Sequence, residues 1–338
     1  MPSLVARQLG RLVASLIVVS IITFGLLKSV PGSFADLTNQ NIGLGLDSVA
    51  GGAQSGTNTA QQATSEPSAV HEYLNFMQDL VTWHLPYTYK YPQLTIGDVI
   101  RQGFPITLTI AFFAVLFTVL LALPVGLAAA LWKYTWFDRT LMTVSTALTA
   151  LPSYLFVLIL VLVFSSWLGL LPTGGWDGPK DLVIPVAALA LEGIAPEARY
   201  VRSSVLEELR EEYVVAALAK GGVRRVVMIR HVLRNSLIPL VTVVGPHFAQ
   251  LLTGTVFIEA LLRIPGLGLF FATAAQSRDM PLLMGSTLFF ALLLVFMNIV
   301  VDLSYRLLDP RIRYQNPIKT FKSRRKIRAR MKEVAANG

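Results

Sequence analysis

The sequence predicts an all-α polytopic membrane protein with six transmembrane helices and both termini in the cytosol. Its 338 residues are 54% hydrophobic and only 14% charged, whereas soluble domains carry about 25% charged residues. Several uncharged runs are long enough for a membrane-spanning helix, which needs about 20 apolar residues. Lysine and arginine cluster at alternate ends of these runs, as the positive-inside rule predicts for a multispanning chain.

Four of the six predicted spans are clear. Residues 104–132, 235–258 and 280–301 contain no charged side chain, whereas an amphipathic helix of a soluble protein would carry a charged face. Residues 140–176 form a further uncharged run that ends in a Leu-Pro-Thr-Gly-Gly turn. Each of these runs is therefore assigned one transmembrane helix.

The other two spans carry weaker signals. Residues 12–27 are few for a span, but the helix extends through Lys28, whose long side chain can snorkel to the membrane surface. Residues 182–198 contain Glu192, Glu197 and two prolines. The distribution of basic residues places both termini inside, and the even number of crossings that this requires agrees with six spans and supports the weak fourth helix.

The orientation follows from the basic residues alone. Of the 29 lysines and arginines, most lie near the predicted inner ends and in the long loop and tail beside them. The few on the predicted outer side are Lys28, Lys90, Arg101, Lys180, Arg263 and Arg278. The net charge of +9 thus reflects topology and does not indicate a nucleic-acid-binding surface.

We divide the chain into four parts: residues 1–30 as the first transmembrane helix, 31–100 as an external segment, 101–310 as a five-helix core, and 311–338 as a basic cytosolic tail. Within the external segment, residues 43–70 are rich in Gly, Ala, Ser, Thr and Gln, a composition that predicts a flexible linker. The tail is expected to be solvated or to contact anionic lipid headgroups; RNA binding is the less favoured alternative.

A short amphipathic helix is predicted at residues 70–84, after the linker. Tyr73, Phe76, Leu80 and Trp83 recur there at helical spacing. Packing against the membrane face or against other helices is favoured over contact with an external partner.

The sequence offers no motif for catalysis, nucleotide binding or a metal. The dipeptide Gly-Lys never occurs, so a phosphate-binding loop is excluded. Neither H-E-x-x-H nor G-x-S-x-G is present, the chain has no cysteine, and the spacing of its four histidines fits no compact metal motif. We therefore expect a non-enzyme without cofactor or metal; if ATP drives it, another chain must hydrolyse the ATP.

The loop at residues 199–235 carries most of the functional information. Ala216, Ala217 and Ala219 give a predicted helix a narrow profile, which lets another protein approach closely. Gly221 follows, and it suits a left-handed helix C-cap because glycine lacks a Cβ. From composition alone, an ordinary positive-inside loop remains an equal alternative.

The order of residues in this loop resembles the EAA loop of binding-protein-dependent ABC importers, in its oligopeptide/dipeptide permease form. The matching positions in the loop and at the start of the next span are Tyr213, Ala217, Ala219-Lys220-Gly221, Arg230-His231, Arg234-Asn235 and Ile238-Pro239. Further matches follow along the chain at Leu171-Pro172-Thr173-Gly174, Glu259, Pro265-Gly266-Leu267-Gly268, Arg278-Asp279-Met280-Pro281, Asn298, Asp302, Tyr305 and Leu308-Asp309-Pro310-Arg311. Leu262, Arg263, Leu218 and Glu192 depart from the family pattern.

The resemblance implies a type I ABC importer permease fold in a bacterial or archaeal cytoplasmic membrane. It implies a second permease subunit, two cytosolic ATPase subunits docked on the loops, an extracytoplasmic substrate-binding protein, and di- or oligopeptides as cargo. The residues that it assigns to ATPase coupling are Glu212, Tyr213, Ala216, Ala217, Ala219, Lys220, Gly221, Arg230, His231, Arg234 and Asn235. Glu192 and Asn298 are candidates for the translocation path.

Alternatives remain at this point. The same importer class also carries nickel chelates and other small solutes. A secondary transporter or channel would need charges near the membrane midplane, and only Glu192 qualifies clearly. An intramembrane enzyme would need a catalytic constellation inside the spans, and none is present in the sequence.

Overall fold

The computed structural model of the protein describes residues 2–29 and 69–308, which are almost entirely helical. The predicted linker lies mostly outside these residues, and the basic tail lies wholly outside them. The α-helices are α1 (Pro2–Ser29), α2 (Ala69–Val81), α3 (Ile96–Leu131), α4 (Trp136–Thr149), α5 (Ser153–Leu160), α6 (Val183–Glu208), α7 (Glu212–Ala219), α8 (Arg224–Val227), α9 (Arg234–Ser236), α10 (Ile238–Gly254), α11 (Val256–Leu262), α12 (Leu267–Ser277) and α13 (Met280–Leu308). Val161–Trp167 and Met228–Leu233 are π-helical, and Pro179–Leu182 is a 3₁₀ turn.

Among the described residues, three helices are long and apolar enough to cross a membrane, or up to five segments if each of two bent helix pairs is one span. The α4–α5 pair bends by 100° and the α11–α12 pair by 82°. The run at 140–176 is therefore not one straight helix, because Pro152 stands at the break and disfavours helix at the preceding residue. The count of six spans stays a prediction, since α6 is charged and α10 has 17 residues.

The core forms where α6 lies along α3, where α10 packs onto both, and where α11 contacts α6 and α12 contacts α3. One cluster of buried side chains joins Ile110 of α3, Leu189 of α6, Leu252 of α10 and Ile258 of α11. A second, nearer the predicted cytosolic side, joins Val205 of α6 to Val214, Val227 and Val232 of the loop region. We call the latter the inner cluster.

The helix predicted at residues 70–84 is confirmed as α2 over Ala69–Val81, and it packs against α1. Trp83, one of the residues that predicted it, lies beyond the helix end with φ of 61°. Glu72 forms an ion pair with Lys28 at 2.6 Å. The Tyr73 hydroxyl lies 2.7 Å from Ser20 Oγ, and its ring stacks at a tilt on Phe24. Interhelical packing, the favoured interpretation of this segment, is what the structure shows.

The α11–α12 pair makes a tight turn that docks on α3, and we call it the hairpin corner. Glu259 is fully buried there, and its Oε2 accepts a hydrogen bond of 2.7 Å from the Gly268 amide in the first turn of α12. The Thr107 hydroxyl of α3 accepts a 3.0 Å bond from the Leu267 amide. These acceptors satisfy amides that a helix N-terminus would otherwise leave unpaired, so the corner is fixed by hydrogen bonds as well as by packing.

The start of α13 is fixed in a similar way by Asp279. This buried carboxylate accepts from the Leu282 amide at 3.1 Å and from the Lys90 amide at 2.8 Å. It therefore caps α13 and ties the segment before α3 to it. Arg278, immediately before it, adopts a left-handed conformation with φ of 54°.

Candidate functional site

The helix α7 is short and is separated from the helix that precedes it by residues 209–211. The chain leaves α6 at Glu208, and α7 begins at Glu212. Only Val214 of α7 is fully buried; Ala217, one turn later, is half-buried, and both pack on the inner cluster. The rest of the helix is exposed, including Glu212, Ala216 and Ala219.

Gly221 ends this helix in the predicted left-handed conformation. Its φ is +83°, and a Cβ built at this position would have no atom within 4 Å. Glycine is therefore required here by backbone conformation and not by crowding. Lys220 is the exposed C-cap, with its amide bonded to the Ala216 carbonyl at 3.1 Å.

Three side chains that are distant in sequence bind one another beside α7. The Tyr213 hydroxyl donates to Glu208, and the Asn235 side-chain amide donates to Glu208 at 3.0 Å and to the Tyr213 oxygen at 2.8 Å. Burial, followed by the bond to Glu208, raises the pKa of Tyr213 above its ordinary value, so the phenol stays protonated as a donor. We call this set the brace, because it joins α6, α7 and α9.

The brace gives a structural role to Tyr213 and Asn235, two of the predicted coupling residues. Tyr213 and Asn235 were predicted from the resemblance alone, and the structure places them in contact across 22 residues of chain. Glu208 was missed, since nothing in its local sequence points to a partner 27 residues away. Arg230 and Arg234 are exposed, and the side chain of His231 lies outside the described part of the structure.

Several apolar side chains of this region are exposed. Val215 is 57% exposed, Leu218 39%, Val223 66%, Val226 53% and Ile229 57%. Exposed apolar residues that stand singly need no explanation, but a concentration of them marks an interaction site. These five side chains, with Ala216 and Ala219 between them, define what we call the docking surface.

A largely buried ion pair connects α6 to α4, the first helix of the bent α4–α5 pair. Arg202 of α6 binds Asp138 of α4 through two bonds of 2.6 and 2.8 Å. Such a bidentate geometry is the strong form of an arginine–carboxylate contact. Sequence reasoning missed this pair, because the partners are 64 residues apart.

Glu192 lines a cavity of about 390 Å³ between α6, α10 and the α4–α5 bend. It shares this α6–α10 cavity with Glu197, five residues further along α6, and with His247 of α10. Asn298 lies elsewhere: its side chain is exposed on α13 and is not among the residues that line this cavity. The two translocation-path candidates are therefore not brought together within this chain.

Glu197 and His247 form a pair that sequence reasoning missed. His247 Nδ1 lies 2.7 Å from Glu197 Oε1, and the Glu197 side chain is 1% exposed. Each residue carries a weak signal in the sequence, a carboxylate within a predicted span and a lone histidine within another. Nothing in the sequence places the two together, since 50 residues separate them.

Comparisons with known proteins agree on one family. Residues 122–314 match the family described as "Binding-protein-dependent transport system inner membrane component". The dipeptide transport system permease protein of Bacillus subtilis (strain 168) is 31% identical over 313 residues, which cover 91% of this chain and 96% of that protein. The oligopeptide transport system permease protein of Haemophilus influenzae is 34% identical over 245 residues, or 72% and 80% of the two chains.

A solved structure gives the same answer for the fold. One crystal form of the inward-facing MetNI methionine ABC transporter aligns with a TM-score of 0.54 at 18% identity. The alignment covers 62% of this chain and 96% of the other. At this identity the likeness concerns the fold alone.

Proposed function

We propose that this chain, which belongs to the family of binding-protein-dependent transport system inner membrane components, imports di- or oligopeptides by coupling to ATP hydrolysis on partner subunits. It is a permease component of an ABC importer and a multi-pass protein of the bacterial cytoplasmic membrane. Peptides are favoured over nickel chelates or other solutes because the relatives cited above carry dipeptide and oligopeptide transport in their names.

The observation that carries this proposal is the docking surface on and beside α7. It belongs to a loop that the positive-inside rule assigns to the cytosol, where exposed apolar side chains need a covering partner. We propose that a cytosolic ATPase subunit covers it. The complete complex would then contain a second permease subunit, two ATPases, and an extracytoplasmic binding protein that delivers the cargo.

The brace gives this coupling a physical route. Tyr213 of α7 and Asn235 of α9 both bind Glu208 at the end of α6, and α6 carries Glu192 and Glu197 on the wall of the α6–α10 cavity. Movement of α7 by ATP-driven closure of the ATPases would therefore pull on the helix that lines the cavity. We propose that the brace transmits this movement and so switches the cavity between inward and outward access.

Glu192 is proposed to line the translocation path and to attract the cationic amino end of a passing peptide. A carboxylate within a span costs about 2.5–3.5 kcal/mol on insertion scales, so it is expected to face water or a partner. Glu192→Gln should lower peptide uptake while the complex still assembles. Intact uptake, or failure of the variant to assemble, would remove Glu192 from the path; Asn298 is proposed for the path on the resemblance alone.

The ATPase contact is tested by placing a charge in the docking surface. Val215→Glu should abolish co-purification of the ATPase subunits and peptide uptake, with normal amounts of permease in the membrane. Val81→Glu is the matched control, because Val81 is an exposed valine of α2 on the predicted outer side. ATPase binding that survives Val215→Glu would exclude α7 as the contact.

A further inference from the structure

The α6–α10 cavity differs chemically from other cavities of similar size. Two others, of about 470 and 320 Å³, are lined mainly by Phe, Leu, Val and Ile side chains. The α6–α10 cavity also has apolar walls, but two carboxylates, a histidine, a glutamine and two hydroxyls face it, and none of the described residues that line it is a lysine or an arginine. A cavity with this lining suits a cation that can donate hydrogen bonds.

Glu197 is incompletely satisfied. Its Oε1 is bonded to His247, but its Oε2 is buried and has no hydrogen-bond partner among the described residues. A buried carboxylate oxygen without a donor is costly. The hydrogen bonding of Glu197 is therefore satisfied only when a further donor binds its Oε2.

His247 is held in place by close packing. A Cβ at Gly193 would lie 2.3 Å from His247 Cε1 and 2.8 Å from the Thr118 methyl, so the imidazole fills the space that glycine leaves open. The ring can bond to Glu197 only through Nδ1 as it lies. His247 is thus a positioning residue: it bonds to Oε1 of Glu197 and leaves Oε2 for a ligand.

Glu192 supplies a second carboxylate on the same cavity wall. It is half-buried on α6, five residues before Glu197. Ser153 and Gln250 add neutral polar groups from α5 and α10. A primary ammonium has three donors and can bond to more than one acceptor at once, and the negative charges of both carboxylates favour it in this cavity.

We infer that the α6–α10 cavity is a transient binding site for the protonated amino group of the transported peptide, bound by Glu197 together with Glu192. This inference rests on the proposed function and deepens it. It assigns Glu197 and His247, which neither the motif resemblance nor the comparisons single out, and it names the chemical group that they recognise.

The test uses a single cysteine, which is possible because the chain has none of its own. Ser153→Cys places a thiol on the cavity wall, and Thr82→Cys places one on an exposed outer segment as the control. In the assembled complex, each thiol is reacted with aminoethyl methanethiosulfonate, a primary ammonium, and with its uncharged hydroxyethyl analogue. The ratio of the two rates reports how strongly the site attracts an ammonium group.

We expect the rate ratio at residue 153 to exceed that at residue 82. Glu197→Gln and Glu192→Gln should each lower it by roughly fivefold, the effect of one nearby charge in a wet cleft. Glu197→Asp should restore part of it. A ratio equal to that at residue 82, a ratio unchanged by Glu197→Gln, or no reaction of Ser153→Cys with either reagent would overturn the site.

Peptide uptake by the same variants separates the two proposals. Glu197→Gln should reduce uptake of a peptide with a free amino group while ATPase subunits still co-purify. Normal uptake by Glu197→Gln together with a flat labelling ratio would refute the ammonium site and leave the importer function intact. The expected ratio in a complex that transports no peptide would refute the peptide assignment and leave a site for another cation.

Discussion

The hairpin corner and the loop that carries α7 each contain a glycine that the fold requires, but for opposite physical reasons. At the corner, a Cβ on Gly268 would lie 2.5 Å from the Val256 Cα, and one on Gly266 would lie 2.3 Å from Glu259 Oε2. At the loop, a Cβ on Gly221 would touch nothing, and only the positive φ demands glycine. The corner is therefore closed by packing, whereas Gly221 is required by its backbone conformation alone and leaves the end of α7 open to a partner.

The hairpin corner and the loop that carries α7 also differ in how deeply their hydrogen bonds are buried. The acceptors at the corner, Glu259 and Thr107, are fully buried and bind backbone amides. The brace at the loop joins side chains near the surface, with Tyr213 39% exposed. We expect changes at the corner to destabilise the fold and changes at the loop to impair transport.

The largest effect is expected from Gly268→Ala, which would push a methyl group into backbone that cannot move aside. Overpacking of this kind costs about 1–3 kcal/mol or more, so the thermal midpoint of the purified protein should fall and its yield should drop. Gly254→Ala is the control, since a Cβ there meets no atom within 4 Å. Equal midpoints for the two variants would contradict the account of the corner.

A smaller effect on stability and a larger one on transport are expected from Gly221→Val. A β-branched residue at positive φ costs roughly 1–2 kcal/mol locally, so the end of α7 should be distorted while membrane insertion persists. Gly169→Val is the matched control, because Gly169 also has a positive φ of 61° and a Cβ there would meet no atom within 4 Å. Uptake should fall only for Gly221→Val; normal uptake by that variant would count against α7 as the coupling helix.

Removing one hydroxyl from each region sharpens the contrast further. Thr107→Val leaves the Leu267 amide without its acceptor and should cost about 1 kcal/mol or more of stability, with normal activity in the protein that folds. Tyr213→Phe should change the unfolding midpoint little and lower peptide-stimulated ATP hydrolysis, because the brace loses the hydroxyl that donates to Glu208 and accepts from Asn235. Reversed outcomes for the two variants would mean that the regions had been assigned the wrong roles.

The smallest effect is expected from Arg263→Gly in the hairpin corner. Arg263 ends α11 at φ of 52°, a left-handed conformation that glycine adopts without a Cβ penalty. The substitution should raise stability by about 0.5 kcal/mol and leave uptake unchanged. A thermal shift measurement checks this, and a lower midpoint would show that the arginine side chain contributes more than its backbone costs.

The sequence alone predicted those features that depend on neighbouring residues. The amphipathic helix α2 and the left-handed Gly221 both follow from local pattern, and both are confirmed. The break between α4 and α5 was not predicted, although Pro152 marks it. Proline at this position disfavours a continuous helix, but it does not specify the 100° bend that the structure shows.

Contacts between segments distant in the chain could not be predicted from the sequence, for a physical reason. Asp138 with Arg202, Glu208 with Asn235, and Glu197 with His247 are brought together by the packing of helices, and no local periodicity encodes a partner that far away. Resemblance to a family supplied Tyr213 and Asn235 as important residues. It did not supply their contact, which only the fold shows.

The central claim is that α7 is the surface that the ATPase subunits bind. The most direct measurement is the alkylation rate of Ala216→Cys, the single cysteine of an otherwise cysteine-free chain, in the permease alone and in the complete complex. We predict a rate at least about tenfold lower in the complex, with no change for Thr82→Cys on the outer side. Equal rates for Ala216→Cys in the two preparations would contradict the claim.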